Sequence, residues 1–220
     1  LCDRRQRQMC IRDSSYACRS IGTDAFQWGV FHPGGDVLYN AYLPCDMLLN
    51  SYASNDIRGH EKQFFFKQYT DAEGNTHTLN NAGNWAWFDE NALISGHDGD
   101  YNMPVFRFAE VLLLYAEACA KTSDPDGANY ALKLIRKRAG LQEKTFAQEE
   151  LMTEIEHQCL LEFFGEGHRF YDLKRWYSVS EIQLILKANG KQGAENFQEK
   201  HLYYPIPTSE LNNNTAMVQT

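Results

Sequence analysis

The stretch "PVFRFAEVLLLYAEACAK", residues 104–121, constrains the fold more than any other. It is apolar on nearly every face, so a helix built from it needs cover from neighbours. Its longest strictly apolar run, Val111–Ala116, is closed by Glu110 and Glu117. That is far below the roughly 18 residues of a membrane span. Pro104 fits the first helical position. The charges are ordered: Glu110 and Glu117 fall about 20° apart, with Arg107 about 60° beyond Glu110, giving one polar stripe on an otherwise buried helix. "TSDPDG" then makes a turn, and "ANYALKLIRKRAGL" sets Ala128, Ala131, Leu132 and Ile135 on one face. Gly140 followed by Leu141 predicts a left-handed C-terminal cap with its hydrophobic contact. The helix–turn–helix of about 35 residues has the dimensions of a tetratricopeptide unit, without that repeat's full consensus.

The rest divides around this pair. Residues 15–103 are rich in Gly, Asn, Asp and aromatics; "HPGGD", "DAEGN" and "SGHDGD" are turn clusters, and "KQFFFKQYT" is the best strand candidate. Residues 104–220 read as helical. A third helix is expected from Thr145, whose hydroxyl with Gln148 makes a capping box, through Leu151, Ile155 and Cys159 to Phe164. "HRFYDLKRW" restarts a turn or two of helix after Gly165 and Gly167. "SEIQLILKA" gives another short helix, and "YYPIPTSELNNN" an extended segment and a last capped helix. The fold class is mainly α, with tetratricopeptide-like helix pairs, a loop-rich segment and short strands.

Hydrophobic residues make up 43% of the 220 residues, enough for a sizeable core. The net charge of −8 argues against a general binder of nucleic acid or anionic membranes, which needs a basic face. No CxxC, HxxxH or HExxH spacing occurs, so neither a metal nor a cofactor is expected. "DPDG" at 124–127 and "DGDYN" at 98–102 faintly resemble calcium loops but lack the full ligand set with a distant Glu. Inter-helix and surface turns account for both.

Residues 1–14 look foreign. "MCIRDS" is what the transposon mosaic end used to tag sequencing libraries encodes in one frame, and "LCDRRQRQMCIRDS" resembles adapter read-through. This segment is set aside from the fold, and it is expected to pack against nothing.

"LEFFGEGHRFYDLKRW", residues 161–176, mixes aromatics with Glu162, Glu166, His168, Arg169, Asp172, Lys174 and Arg175. An acid–base site is one reading. A structural clamp is the other. Carboxylates on buried helices need cations, and arginine supplies them with bidentate geometry. No nucleophile is paired with a base here, so the clamp is favoured. Its expected members are Arg107, Glu110, Glu117, Arg136, Arg138, Glu162, Arg169, Asp172 and Arg175. The aromatics Phe163, Phe164, Phe170, Tyr171 and Trp176 are assigned to packing.

Trp28, Trp85 and Trp87 stand apart, in polar, Asn- and Gly-rich surroundings. A loop indole covers the C–H face of a sugar while amides and carboxylates bond its hydroxyls. "NNAGNWAWFDEN" offers both, with Trp85 and Trp87 on one face if extended and Asn81, Asn84 and Asp89 nearby. The same indoles could instead plug the loop layer against the helices; aromatic loop residues are common binding anchors but not diagnostic.

Four motifs, "MPVFRFAEVLLLYAEA", "ALKLIRKRAGL", "LEFFGEGHRFYDLKRW" and "YYPIPTSELNNN", together with "LLNSYASNDIR" upstream, resemble the SusD/RagB family in order and spacing over roughly residues 40–220. The resemblance implies the C-terminal half of a longer outer-membrane lipoprotein of the Bacteroidetes. Such proteins are exposed on the cell surface and capture glycans or peptides without catalysis, as a lid over a SusC-like TonB-dependent transporter. It also implies an N-terminal lipid anchor and further helical pairs outside this sequence, so the chain is expected to show an apolar face. Gln158 and Cys159 stand where the family usually has Glu-Arg, which weakens the carry-over of the clamp at that helix. Asn214-Thr215 replaces the usual Asn-Pro, and the closing Pro-Gly-aromatic is absent after Gln219. Two rivals remain: a peptide-binding helical-repeat scaffold, with a groove lined by helices, and a glycoside hydrolase, with two carboxylates in an open cleft.

Overall fold

The computed structural model describes residues 44–70, 74–85, 104–214 and 216–218, together with the backbone of 8–10. The described part is mainly helical. Two compact units are distinguished, Leu1–Glu166 and Gly167–Thr220.

In the first unit, strand β1 (Gln8–Cys10) precedes a short helix α1 (Asp46–Asn50), a hairpin of β2 (Phe65–Thr70) and β3 (Thr76–Asn84), and strand β4 (Pro104–Arg107). Helices α2 (Phe108–Lys121), α3 (Pro125–Arg138) and α4 (Gln148–Glu162) follow. "KQFFFKQYT" is strand from Phe65 to Thr70, as its aromatic content predicts, while residues 62–64 turn into it. β2 pairs antiparallel with β3, Phe66 opposite Gly83 and Tyr69 opposite His77, and the register breaks between Phe66 and Gln68. So part of the segment read as loops, including Asn81 and Asn84, is strand.

α2 begins four residues later than Pro104 suggests. Residues 104–107 are extended and pair with Gln8–Cys10, Gln8 opposite Arg107. Proline suits a strand edge, where no N–H is needed. The expectation that residues 1–14 pack against nothing therefore fails at β1. The unpaired edge of β4 accepts backbone partners with little regard for their sequence.

α2 and α3 form an antiparallel hairpin, and α4 packs against both. Small residues at the contact, Ala109, Ala116 and Ala120 from α2 and Ala128 and Ala131 from α3, let the two backbones approach. Leu113, Leu132, Ile135, Leu151 and Ile155 fill the space between the three helices. α2 is not buried all round: Phe108, Val111, Leu114 and Tyr115 lie exposed on its other side. The "DPDG" turn is a helix start. Asp124 caps α3 by accepting from the Gly127 N–H at 3.0 Å, and Cys119 leaves no room for a larger residue at 127.

α4 starts at Gln148, not Thr145. Asn129 explains the shift: its side chain brackets Phe146, accepting from the Phe146 N–H at 2.8 Å and donating to the Phe146 carbonyl at 3.0 Å. Phe146 is thereby held extended and buried, and the helix begins behind it. Glu150 then accepts from the Ala147 N–H, half of a capping box two residues further on.

The second unit contains α5 (His168–Trp176), α6 (Val179–Ala188) and α7 (Thr208–Asn213). Gly165 and Gly167 both have positive φ, which stops α4 and opens α5. Ser178 and Glu181 form a reciprocal capping box on α6, which ends at Asn189 and the left-handed Gly190.

Candidate functional site

The charges converge on Glu162, the last residue of α4, which is fully buried. Three arginines reach it from three elements. Arg107, at the junction of β4 and α2, donates from Nη1 to Oε1 at 2.8 Å. Arg58 donates from Nη1 to Oε2 at 3.2 Å. Arg138, at the end of α3, donates to Oε2 as well.

Local structure delivers each guanidinium. α3 ends in a Schellman cap: the Leu141 N–H bonds the Arg136 carbonyl at 2.9 Å and the Gly140 N–H bonds Lys137 at 3.2 Å, with Gly140 at φ +74°. The Ala139 carbonyl accepts from the Ile57 N–H at 3.0 Å, docking this cap on a turn of 3-10 helix at Ile57–Gly59. Asp56 opens that turn. Its carboxylate accepts from the Arg58 N–H at 3.0 Å, Nε at 2.9 Å and Nη2 at 2.7 Å. Arg58 is thus held by the carboxylate two residues before it and aimed at α4. There its Nη2 also reaches Gln158 Oε1 at 2.9 Å. Arg107 donates twice to Glu166, at 2.8 and 2.6 Å, and once to the Glu162 carbonyl at 2.9 Å. Tyr52 donates to the Leu161 carbonyl at 2.6 Å. These side chains satisfy carbonyls that the end of α4 leaves without helical partners.

The network continues through Gln158, whose amide donates to Glu154 at 2.9 Å; Glu154 in turn accepts from Arg136 at 2.6 Å. Gln158 is fully buried. The departure at this position therefore does not break the clamp: the neutral amide accepts from one cation and donates to one carboxylate.

Burial alone would raise the Glu162 pKa, but the guanidiniums of Arg138, Arg107 and Arg58 outweigh it and hold the carboxyl below its usual range. Burial would lower the Arg58 and Arg107 pKa values, and their carboxylate partners reverse that, raising both. Glu162, Arg58 and Arg107 are thus each held in the charged form. A general acid needs the opposite shift.

Of the remaining expected clamp members, Glu110 and Glu117 lie on α2, and Arg169, Asp172 and Arg175 on α5. Glu117 is buried on α2 and paired with Lys121 one turn on, at 2.7 Å. Glu110 is half-buried on the same helix. Arg107 is extended, at φ −119°, and so does not continue their stripe. Asp172 and Arg175 pair with each other at 3.0 Å within α5, and Arg169 is half-buried on that helix. Sequence reasoning left Asp56, Arg58, Glu154, Gln158 and Glu166 out of the clamp. The signal for the first two was present in the Asp-x-Arg spacing, which closes a fork on its own carboxylate.

Among the expected ligand-binding residues, Trp85 directly follows β3 and is half-buried. It stands edge-on to the fully buried Phe66, 5.4 Å between ring centres, and the Lys62 ammonium lies 5.0 Å from its ring. Its backbone N–H donates to the Phe64 carbonyl at 2.9 Å. Trp85 is thus seated on the hairpin rather than carried by a free loop. Asn81 and Asn84 are strand residues of β3. Trp28, Trp87 and Asp89 lie outside the described residues. Tyr171, assigned to packing, is half exposed.

The architecture is a helical-pair scaffold in which the end of α4 is locked by buried arginine–carboxylate pairs to the Ile57–Gly59 turn, to the β4–α2 junction and to the end of α3. The SusD family model matches residues 60–220, and the chain belongs to that family. It is 34% identical over 125 residues to the starch-binding protein SusD of Bacteroides thetaiotaomicron, a match covering 54% of this chain and 21% of that protein. It is 29% identical over 124 residues to the SusD-like protein P25 of Formosa agariphila, covering 54% of this chain and 24% of that protein. The matched stretch thus spans less than a quarter of these curated relatives' length. A SusD superfamily protein of Parabacteroides distasonis has the same fold, with a TM-score of 0.68 at 24% identity over 85% of this chain and 43% of that one.

Proposed function

We propose that this chain serves in the non-catalytic capture of glycan or peptide nutrients at the outer-membrane surface and in their delivery to a SusC-like TonB-dependent transporter. Membership of the SusD family over residues 60–220 carries this reading. The starch-binding name of one relative favours a saccharide over a peptide. The buried charges support a non-catalytic role, since a hydrolase needs one carboxyl kept protonated in an open cleft. Glu162 is buried, ionised and bonded by three arginines.

Capture is assigned to Trp85, Trp87 and Trp28, with Asn81, Asn84 and Asp89 as polar partners. Trp85 is backed by Phe66 and so is pre-positioned, which lowers the entropy lost on binding. The test is affinity electrophoresis or calorimetry against a glycan identified on an array, paired with thermal melts. Trp85→Ala should weaken binding by about 2 kcal/mol, roughly thirtyfold, if the indole is an anchor. Normal binding by the Trp85 and Trp87 variants, or loss of binding that tracks loss of fold, removes the aromatic platform.

A further inference from the structure

The second unit carries an aromatic cup to which neither the clamp nor the tryptophans give a role. Phe170 and Tyr171 on α5 meet Tyr204 from the extended "YYPIP" segment: ring centres are 5.9 Å apart for Phe170 and Tyr171, and 6.3 Å for Phe170 and Tyr204. The Lys174 ammonium sits inside, 5.5 Å from the Phe170 ring, 6.0 Å from Tyr171 and 5.1 Å from Tyr203. Tyr171, Tyr203 and Tyr204 are 51%, 66% and 74% exposed. Three tyrosines and a lysine therefore present one accessible surface.

Two details give the cup chemical direction. The Tyr204 hydroxyl near that of Tyr171 raises the Tyr171 pKa, and the Phe170–Tyr204 ring contact joins the helix to the extended segment. Lys174 makes no ion pair among the described residues, while the neighbouring Arg175 takes Asp172. In a chain of net charge −8, a half-buried ammonium is thus held by π-faces and left open to an incoming anion.

We infer that Phe170, Tyr171, Lys174, Tyr203 and Tyr204 form a binding site for carboxylated saccharides. The tyrosine faces take the C–H side of a sugar ring, and Lys174 donates a charge-assisted hydrogen bond to its carboxylate. Neutral sugars gain only the first of these contacts.

The test is calorimetric titration of the 220-residue chain with glucuronic-acid oligosaccharides, neutral glucose oligosaccharides of equal length, and a Glu-rich peptide. The acidic oligosaccharide should bind about tenfold tighter than the neutral one, with the margin shrinking as salt is added. Lys174→Gln should abolish the margin while leaving neutral binding unchanged. The double variant Tyr203→Ala/Tyr204→Ala should weaken both sugars at least tenfold. Tyr130→Ala, an exposed tyrosine outside the cup, should change nothing. Equal binding of acidic and neutral sugars, absence of binding, persistence of the margin in Lys174→Gln, or tighter binding of the peptide overturns the assignment. If the tyrosine double variant fails to fold, Lys174→Gln alone decides the matter.

Discussion

At the scale of single residues, Glu162 has the most to lose. Its carboxylate accepts from three arginines, so Glu162→Gln leaves buried cations without their counter-charge. Equilibrium denaturation should show a loss of about 3–5 kcal/mol. The pH dependence follows from the lowered folded pKa. A depressed carboxylate stabilises fully above its unfolded value, about 4.3, and that contribution is lost as pH falls through the lower folded value. Thermal melts should therefore show wild type losing stability below about pH 4.3 in excess of Glu162→Gln. Parallel acid profiles for the two would refute the role given to this ion. Tyr52→Phe is a gentler probe: it removes the bond to the Leu161 carbonyl and should cost about 0.5–1.5 kcal/mol. The clamp's existence was legible because arginine and glutamate recur at helical positions. Its partners were not, because pairing depends on which helix end reaches which turn, and Arg58 arrives from a segment that shows no helical period.

At the scale of elements, caps decide where helices meet. Gly140 combines a positive φ with a tight neighbour: an added Cβ would lie 3.1 Å from Ile57 Cγ2 and 3.2 Å from the Asn55 carbonyl. Gly140→Ala should destabilise by about 1–2 kcal/mol from the left-handed backbone alone. If the Asp56–Arg58 turn moves as well, hydrogen exchange at Ile57 should quicken, since that N–H is bonded to Ala139. Unchanged exchange and stability would show that the cap does not position the turn. The cap at 140–141 could be read from sequence because glycine is nearly alone in tolerating that backbone. The starts of α2 and α4 could not. Pro104 suits either a first helical turn or a strand edge, and Thr145–Gln148 makes a good capping box that Asn129, 17 residues upstream, overrules by bracketing Phe146. Local signals were sound there; a tertiary contact outbid them.

At the scale of the whole molecule, the first unit has a dry side and an apolar wet side. Phe108, Val111, Leu114 and Tyr115 lie opposite the face of α2 that meets α3 and α4. An apolar face was expected from the family resemblance, but its location was not, because a helix apolar all round does not reveal which side its neighbours take. Leu114→Gln should alter the melting free energy of this chain by less than about 0.5 kcal/mol, whereas Leu113→Ala, one residue away and buried, should cost about 2–5 kcal/mol. Similar losses for both would mean that the exposed side is covered in solution.

The route of Arg58 to α4 also bears on how quickly the chain can assemble. α2 and α3 are joined by a short turn and α4 follows soon after in the chain, so their contacts close smaller loops. The bond from Arg58 to Glu162 spans 104 residues. Closing so long a loop is entropically slow, and contacts of this separation form after local helix docking. The ion cluster should then act as a latch set after the rate-limiting step. In stopped-flow chevrons, Arg58→Met should accelerate unfolding and leave refolding nearly unchanged, whereas Leu132→Ala, inside the helical hairpin, should slow refolding. A large refolding effect for Arg58→Met would place the latch in the folding nucleus instead.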